Sequence, residues 1–256
     1  MTDTLQPPLE RTIRSAEGDF RVGRVFTQTF SVLSRNLLPF CIVTVIAALP
    51  YYFLLGADGR PAASAMTAGR AGSAIFWFVL AILLNALSQA VILYAAFEDM
   101  RGRPVNMMES LRIGFGRILP VLGTAIVVGV LTMLGGIALV IPAFIVMTMM
   151  FVAIPACVVE RLGPVKSVGR SAALTKGYRW RVFGLWISFM IVLGIVQSVS
   201  VGIGSAIGGV FVAQLILLLW NAIYIAFSAT LVVVTYRDLR VAKEGVDTDQ
   251  IAAVFD

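Results

Sequence analysis

Residues 119–160 read LPVLGTAIVVGVLTMLGGIALVIPAFIVMTMMFVAIPACVVE, with no charged side chain before the last residue, Glu160. A helix crossing the hydrocarbon core of a bilayer needs about 20 mostly apolar residues. This run is twice that length, and Gly135, Gly136 and Pro142 interrupt it near its centre. It reads as two spans joined by a tight turn. Residues 182–236 repeat the pattern, again without a charged side chain, and Gly202, Gly204, Gly208 and Gly209 divide them into two more spans. Upstream lie two single runs, LLPFCIVTVIAALPYYFLLG at 37–56 and AIFWFVLAILLNALSQAVILYAAF at 74–97. The fold expected is therefore all-α: a polytopic membrane protein of about six transmembrane helices.

The composition of the 256 residues agrees. Apolar residues make up 59 % and charged residues 13 %, where a soluble domain carries about 45–50 % and about 25 %. So little charge does not coat a soluble surface, and lipid is the expected solvent for much of the chain. The first twenty residues have no apolar core, so no cleavable signal peptide is expected there. The domain division that follows is a flexible cytoplasmic tail over 1–20, a six-span membrane domain over 21–236 and a cytoplasmic C-terminal tail over 237–256.

Lys and Arg are distributed unevenly between the spans. The N-terminal segment, the 98–118 loop, the 161–181 loop and the C-terminal tail hold eighteen, while the 57–73 loop holds Arg60 and Arg70 alone. Short cytoplasmic loops carry the excess of Lys and Arg. Both termini and the two basic loops are thus expected in the cytoplasm, which requires an even number of spans. A net charge of +6 spread in this way is topological, and no nucleic-acid partner is expected, because such binding needs the charge gathered on one solvent face.

Each basic segment precedes a span and has amphipathic spacing. Before span 1, Val22, Val25, Phe26, Thr29 and Leu33 share one face, and Arg21, Arg24, Gln28, Ser31 and Arg35 the other. Before span 3, Met108, Leu111, Phe115 and Ile118 form a stripe opposed by Glu109, Arg112 and Gly116, with Arg117 beside it. Before span 5, KSVGRSAALTKGYRWR (166–181) is a more basic version carrying Lys166, Arg170, Lys176, Arg179 and Arg181. Helices of this kind lie in the interface, apolar side in the acyl boundary and cations near headgroups. Phe30, Leu111 and Leu174 align between the segments, with Pro39, Pro120 and Phe183 nine residues on, which suggests a three-fold repeat of interfacial helix plus hairpin. Two readings of the ten cations Arg21, Arg24, Arg35, Arg112, Arg117, Lys166, Arg170, Lys176, Arg179 and Arg181 stand side by side: contacts to anionic lipid or to a membrane-protein partner, or topology signals only.

The interior offers little chemistry. The chain contains no His, and Cys41 and Cys157 sit in separate apolar segments as small buried hydrophobes. No metal, no cofactor and no catalytic group is expected, and the chain is read as not an enzyme. The neutral polar residues Asn85, Gln89, Gln197, Gln214 and Asn221 read as helix–helix contacts, since such amides commonly bond across helices. A polar cavity lined by four of them would instead favour transport of a neutral or lipid-like solute. Glu160 opens the third basic segment, where a salt bridge to Arg161 or Arg170 is expected, and with it a structural lock of that helix against the bundle.

The stretch IPAFIVMTMMFVAIPACVVE followed by RLGPVKSVGRSAALTKGYRWR, and the ending TYRDLRVAKEGVD, resemble the bacterial family described as the membrane domain of glycerophosphoryl diester phosphodiesterase, with the related YciC-like inner-membrane proteins. The likeness runs from about Phe20 to Asp247. It implies a six-span module of a bacterial inner membrane, with a Glu where Glu160 stands. It does not imply hydrolysis, because the chain has neither the length for the separate barrel found in some relatives nor a His or carboxylate cluster to build its site. The resulting expectation is a non-catalytic lipid- or partner-organising module or accessory subunit. The sequence assigns no oligomeric state.

Overall fold

The computed structural model describes residues 20–55, 71–138, 140–207 and 209–244. The N-terminal tail, the C-terminal residues 245–256 and the loop bearing Arg60 lie outside them, as do the side chains of Gln214 and of the residues flanking the glycine break near 208. The described chain is helical throughout: α1 (Val22–Arg35), α2 (Leu37–Leu55), α3 (Ala71–Met100), α4 (Met107–Ala138), α5 (Val140–Met150), α6 (Ala153–Val159), α7 (Pro164–Thr175), α8 (Arg179–Ile207) and α9 (Gly209–Glu244). Among the described residues five helices meet the length and apolarity needed to cross a membrane, and α1 with α2, bent by 83° at Asn36, makes a sixth if the pair is one span.

α8 ends at Ile207 and α9 begins at Gly209, within the glycine stretch, and α4 ends at Ala138 and α5 begins at Val140, near Pro142. At the second, Gly135 is needed for close approach. A Cβ there would stand 3.1 Å from the Cα and 3.2 Å from the backbone nitrogen of Ala143, and backbone atoms do not step aside.

The buried side chains concentrate at one end of the bundle. Ala90–Phe97 of α3, Val152–Val158 around α6, and Leu231–Leu239 of α9 form its centre, joined by Val25 and Leu33 of α1 and Leu174 of α7. Small residues on α9, Ala222, Ala226 and Ala229, let neighbouring backbones approach. Thr44 of α2 lies 3.2 Å from the Ala222 carbonyl. Away from this end the helices present bare apolar rows, such as Ile126, Val130, Met133 and Ile137 on α4 and Ile191, Ile195, Val199 and Ile203 on α8. Soluble monomers do not expose patches of this extent, so these rows face lipid.

The three basic segments differ from the amphipathic expectation in one respect each. α1 crosses the end of the bundle, but Val25, Thr29, Val32 and Leu33 are buried against protein, chiefly α9. The segment before span 3 is not a separate helix. It is the first part of α4, which runs straight through Pro120, and its stripe faces outward, with Met108 75 % and Phe115 71 % exposed. Proline costs that helix one hydrogen bond, while a break in lipid would orphan several more backbone groups. The third segment divides: α7 ends at Thr175, and Arg179 and Arg181 already belong to α8. The buried face of α7 is Ser167, Ser171, Leu174 and Thr175, small enough to dock on the bundle rather than float in the interface. A separate helix before a hairpin thus recurs twice, at α1 and α7, and not before span 3, and the aligned residues differ in setting: Phe30 is exposed, Leu111 half-buried and Leu174 buried.

Candidate functional site

The packed end is also the charged end, and its architecture begins with a proline. Pro155 has no N–H to donate and its ring collides with the carbonyl four residues back, at Phe151. The fourth span breaks there into α5 and α6. The break strands two backbone groups, and Ser171 of α7 meets both. Its hydroxyl donates to the Met149 carbonyl at 2.7 Å and accepts from the Val152 N–H at 3.2 Å. α7 is thereby pinned into a notch in the span. On its other side Pro164 fits against Gly123 of α4, where a Cβ would stand 2.7 Å from the proline ring.

α6 ends at Glu160, and the next residue, Arg161, has φ +54. That left-handed step turns the chain into α7. Glu160 accepts hydrogen bonds from Arg170 Nε at 2.8 and 3.0 Å and from the Tyr236 hydroxyl at 2.7 Å. Arg170 also donates to Glu244, which accepts from Arg240 at 3.0 Å. One chain of contacts therefore ties the end of span 4, α7 and the end of α9. Burial works against the Arg170 charge, and the hydrogen bonds it donates to Glu160 and Glu244 outweigh that, so its pKa rises above the ordinary guanidinium value.

The other carboxylates at this end are paired in the same way. Asp238 of α9 meets Arg24 of α1 at 3.1 Å, and Asp99 of α3 meets Arg35 at 2.7 Å. Glu98 meets Arg101 at 3.2 Å and Arg103 at 3.4 Å. Three of the ten cations read from the sequence, Arg24, Arg35 and Arg170, are thus held in internal ion pairs. Arg181 donates to the Phe20 carbonyl at 2.8 Å and lies over the Tyr178 ring, which brings the start of α8 beside Arg21. Arg21, Arg112, Lys166 and Lys176 are exposed and Arg117 and Arg179 half-buried, and none of the six has a carboxylate partner among the described residues. The Arg179 Nε is buried without a hydrogen-bond partner. Aromatic rings mark the same level, with Trp180, Phe183 and Trp186 of α8 packed edge-on or stacked and Phe144 of α5 joining them.

The four amides whose side chains are described do not gather, and Gln214 lies outside them. Asn85 and Gln89 bond to each other along α3 at 3.2 Å. Gln197 on α8 and Asn221 on α9 are exposed. What the described residues do enclose is an open groove of about 270 Å³ between α2, α3 and the start of α4, lined by Pro39, Ile42, Ile46, Leu84, Leu87 and Leu111 among others.

Tyr236, Ser171, Asp238 and Glu244 carry much of this end, and the sequence assigns none of them a contact there. Arg240 and Glu244, four apart on one helix, were the available signal. Tyr236 stands in the TYRDLRVAKEGVD ending that carries the resemblance, but no spacing points from it or from Ser171 to partners 76 and 22 residues away.

With the geometry in view, the class of protein is defined: an all-α integral membrane protein of five to six apolar helices, closed at one end by arginine–carboxylate pairs. No family model, no curated protein and no solved structure matches the chain.

Proposed function

We propose that this chain is a non-catalytic module of a bacterial inner membrane that organises anionic lipid, or an acidic face of a partner protein, at its cytoplasmic surface, with both termini in the cytoplasm. The observation that carries this reading is the division of labour among cations at the packed end. Every carboxylate there among the described residues except Glu109 is paired with an arginine, while Arg21, Arg112, Lys166 and Lys176 stand exposed without a carboxylate partner among those residues. Glu109 lies in the first turn of α4, where the helix dipole favours it. The exposed cations flank the elements that lie over the spans, and each Lys or Arg near an anionic surface contributes about 1 kcal/mol. Kinship with the phosphodiesterase-associated membrane family is consistent with this role and is part of the proposal.

Native mass spectrometry of the protein released with its surrounding membrane tests it. Enrichment of phosphatidylglycerol or cardiolipin over their share of the membrane, or a stoichiometric protein partner, is expected. Replacing Arg21, Arg112, Lys166 and Lys176 by Gln should abolish that enrichment with the fold intact. Equal retention of neutral and anionic lipid, with no bound protein, would leave the cations as topology signals and sink the reading.

A further inference from the structure

We infer that the groove between α2, α3 and α4 holds one acyl chain of an anionic phospholipid, its phosphate met by Arg112 and the exposed side of Arg35; the inference rests on the lipid-organising reading and gives it a place. The groove follows α2 from Pro39 to Ala47 and takes Leu84, Leu87 and Ser88 from α3 and Met107 and Leu111 from α4. Ser88 is the only polar side chain in that lining, and its hydroxyl already donates to the Asn85 carbonyl at 2.8 Å. The walls therefore offer water nothing to bond, and an apolar space of this kind takes hydrocarbon. Ile42 and Ile46 are about half exposed, so the groove opens sideways to the bilayer rather than to solvent.

Its position sets the polarity of the occupant. The mouth lies where α2 and α4 begin; the first turn of α4 is already capped, the Asn106 side-chain oxygen accepting from the Met108 and Glu109 N–H groups at 3.1 and 3.2 Å, so the positive dipole end that faces the headgroup level is that of α2. Arg35 ends α1 four residues before Pro39, and its side chain is 58 % exposed even while one nitrogen pairs with Asp99. Arg112 follows Leu111 on α4 and is exposed without a carboxylate partner among the described residues. Two arginines and the N-terminus of α2 beside an apolar slot complement a phosphate with a hydrocarbon tail.

The test is native mass spectrometry of the full chain from vesicles of phosphatidylglycerol and phosphatidylcholine at one to three. The wild type is expected to retain one phosphatidylglycerol. Ile46→Trp, at an exposed wall position, covers the groove and should lose it. Arg112→Gln leaves the walls intact and should lower the retained phosphatidylglycerol-to-phosphatidylcholine ratio about fivefold, the effect of one cation near an anionic surface. Lys166→Gln with Lys176→Gln should leave this lipid in place. If Ile46→Trp retains the lipid as well as wild type does, the groove is not the site. If the lysine pair removes it and Ile46→Trp does not, anionic lipid is organised at α7 and only the groove assignment falls. A wild type that shows no preference for phosphatidylglycerol overturns both the groove and the anionic-lipid arm of the wider reading.

Discussion

At the residue scale, two side chains explain why the third basic helix is held in place. Pro155 breaks span 4, and Ser171 supplies the partners that the Met149 carbonyl and the Val152 N–H lose at the break. A buried polar group left unsatisfied costs about 1–3 kcal/mol, so Ser171→Ala should lower thermal stability in detergent by that order. The coupling gives a sharper check. In a Pro155→Ala background the helix regains its own bonds, and Ser171→Ala should then cost less than half as much. Equal costs in both backgrounds would separate the serine from the break. Glu160 is the second case. Glu160→Gln keeps a hydrogen bond to Tyr236 but removes the charge facing Arg170. A loss of about 1–2 kcal/mol is expected, charged hydrogen bonds being reduced by the solvent that reaches both partners. An unchanged melting temperature would mean that Glu160 holds nothing. The Glu160–Arg170 contact was legible in the sequence because ten residues separate the two. Tyr236 and Glu244 were not, because their pairing depends on how α9 returns to the same end.

At the scale of elements, apolar length located the spans and glycine located their breaks, since lipid leaves a backbone few alternatives to helix. Glycine's second role was hidden. Gly135 does more than end α4; it lets Ala143 of α5 pack backbone to backbone. Gly135→Ala should therefore destabilise the pair by about 1–3 kcal/mol, the usual cost of overpacking, whereas Gly129→Ala, with open space at its Cβ, should be neutral or mildly stabilising. Thermal unfolding of the two variants side by side distinguishes close approach from a general effect of alanine. The amphipathic stripes show why helical periodicity runs out. Spacing says that Val25, Thr29 and Leu33 share a face, and that Met108 and Phe115 share another. It does not say what covers each face, because lipid tails and a protein interior are equally apolar. α1 turned its stripe to protein and α4 turned its stripe outward.

At the scale of the molecule, the ion pairs bear on the number of crossings. α1 and the end of α9 meet through Arg24 and Asp238, and the end of α1 meets the end of α3 through Arg35 and Asp99. The chain therefore enters and leaves at one end. α2 starts at that end and α3 finishes there, so α2 has to carry the chain to the opposite end before α3 returns. Its 19 residues rise about 28 Å at 1.5 Å each, close to the roughly 30 Å hydrocarbon thickness. Were α2 a re-entrant segment, five crossings would separate the termini, and the loop bearing Arg60 would share a side with the N-terminal helix. Cysteine labelling in a background of Cys41→Ala and Cys157→Ala decides between these topologies. Single substitutions Gly102→Cys, Lys176→Cys and Ala62→Cys should behave as two groups. The first two should react with a membrane-impermeant maleimide only after the inner membrane is opened, and Ala62→Cys should react in intact spheroplasts. Protection of Ala62→Cys together with the other two would make α2 re-entrant and the crossing count odd. Reaction of Gly102→Cys in intact spheroplasts would invert the orientation drawn from eighteen cations against two, and would place the arginine-closed end outside the cell.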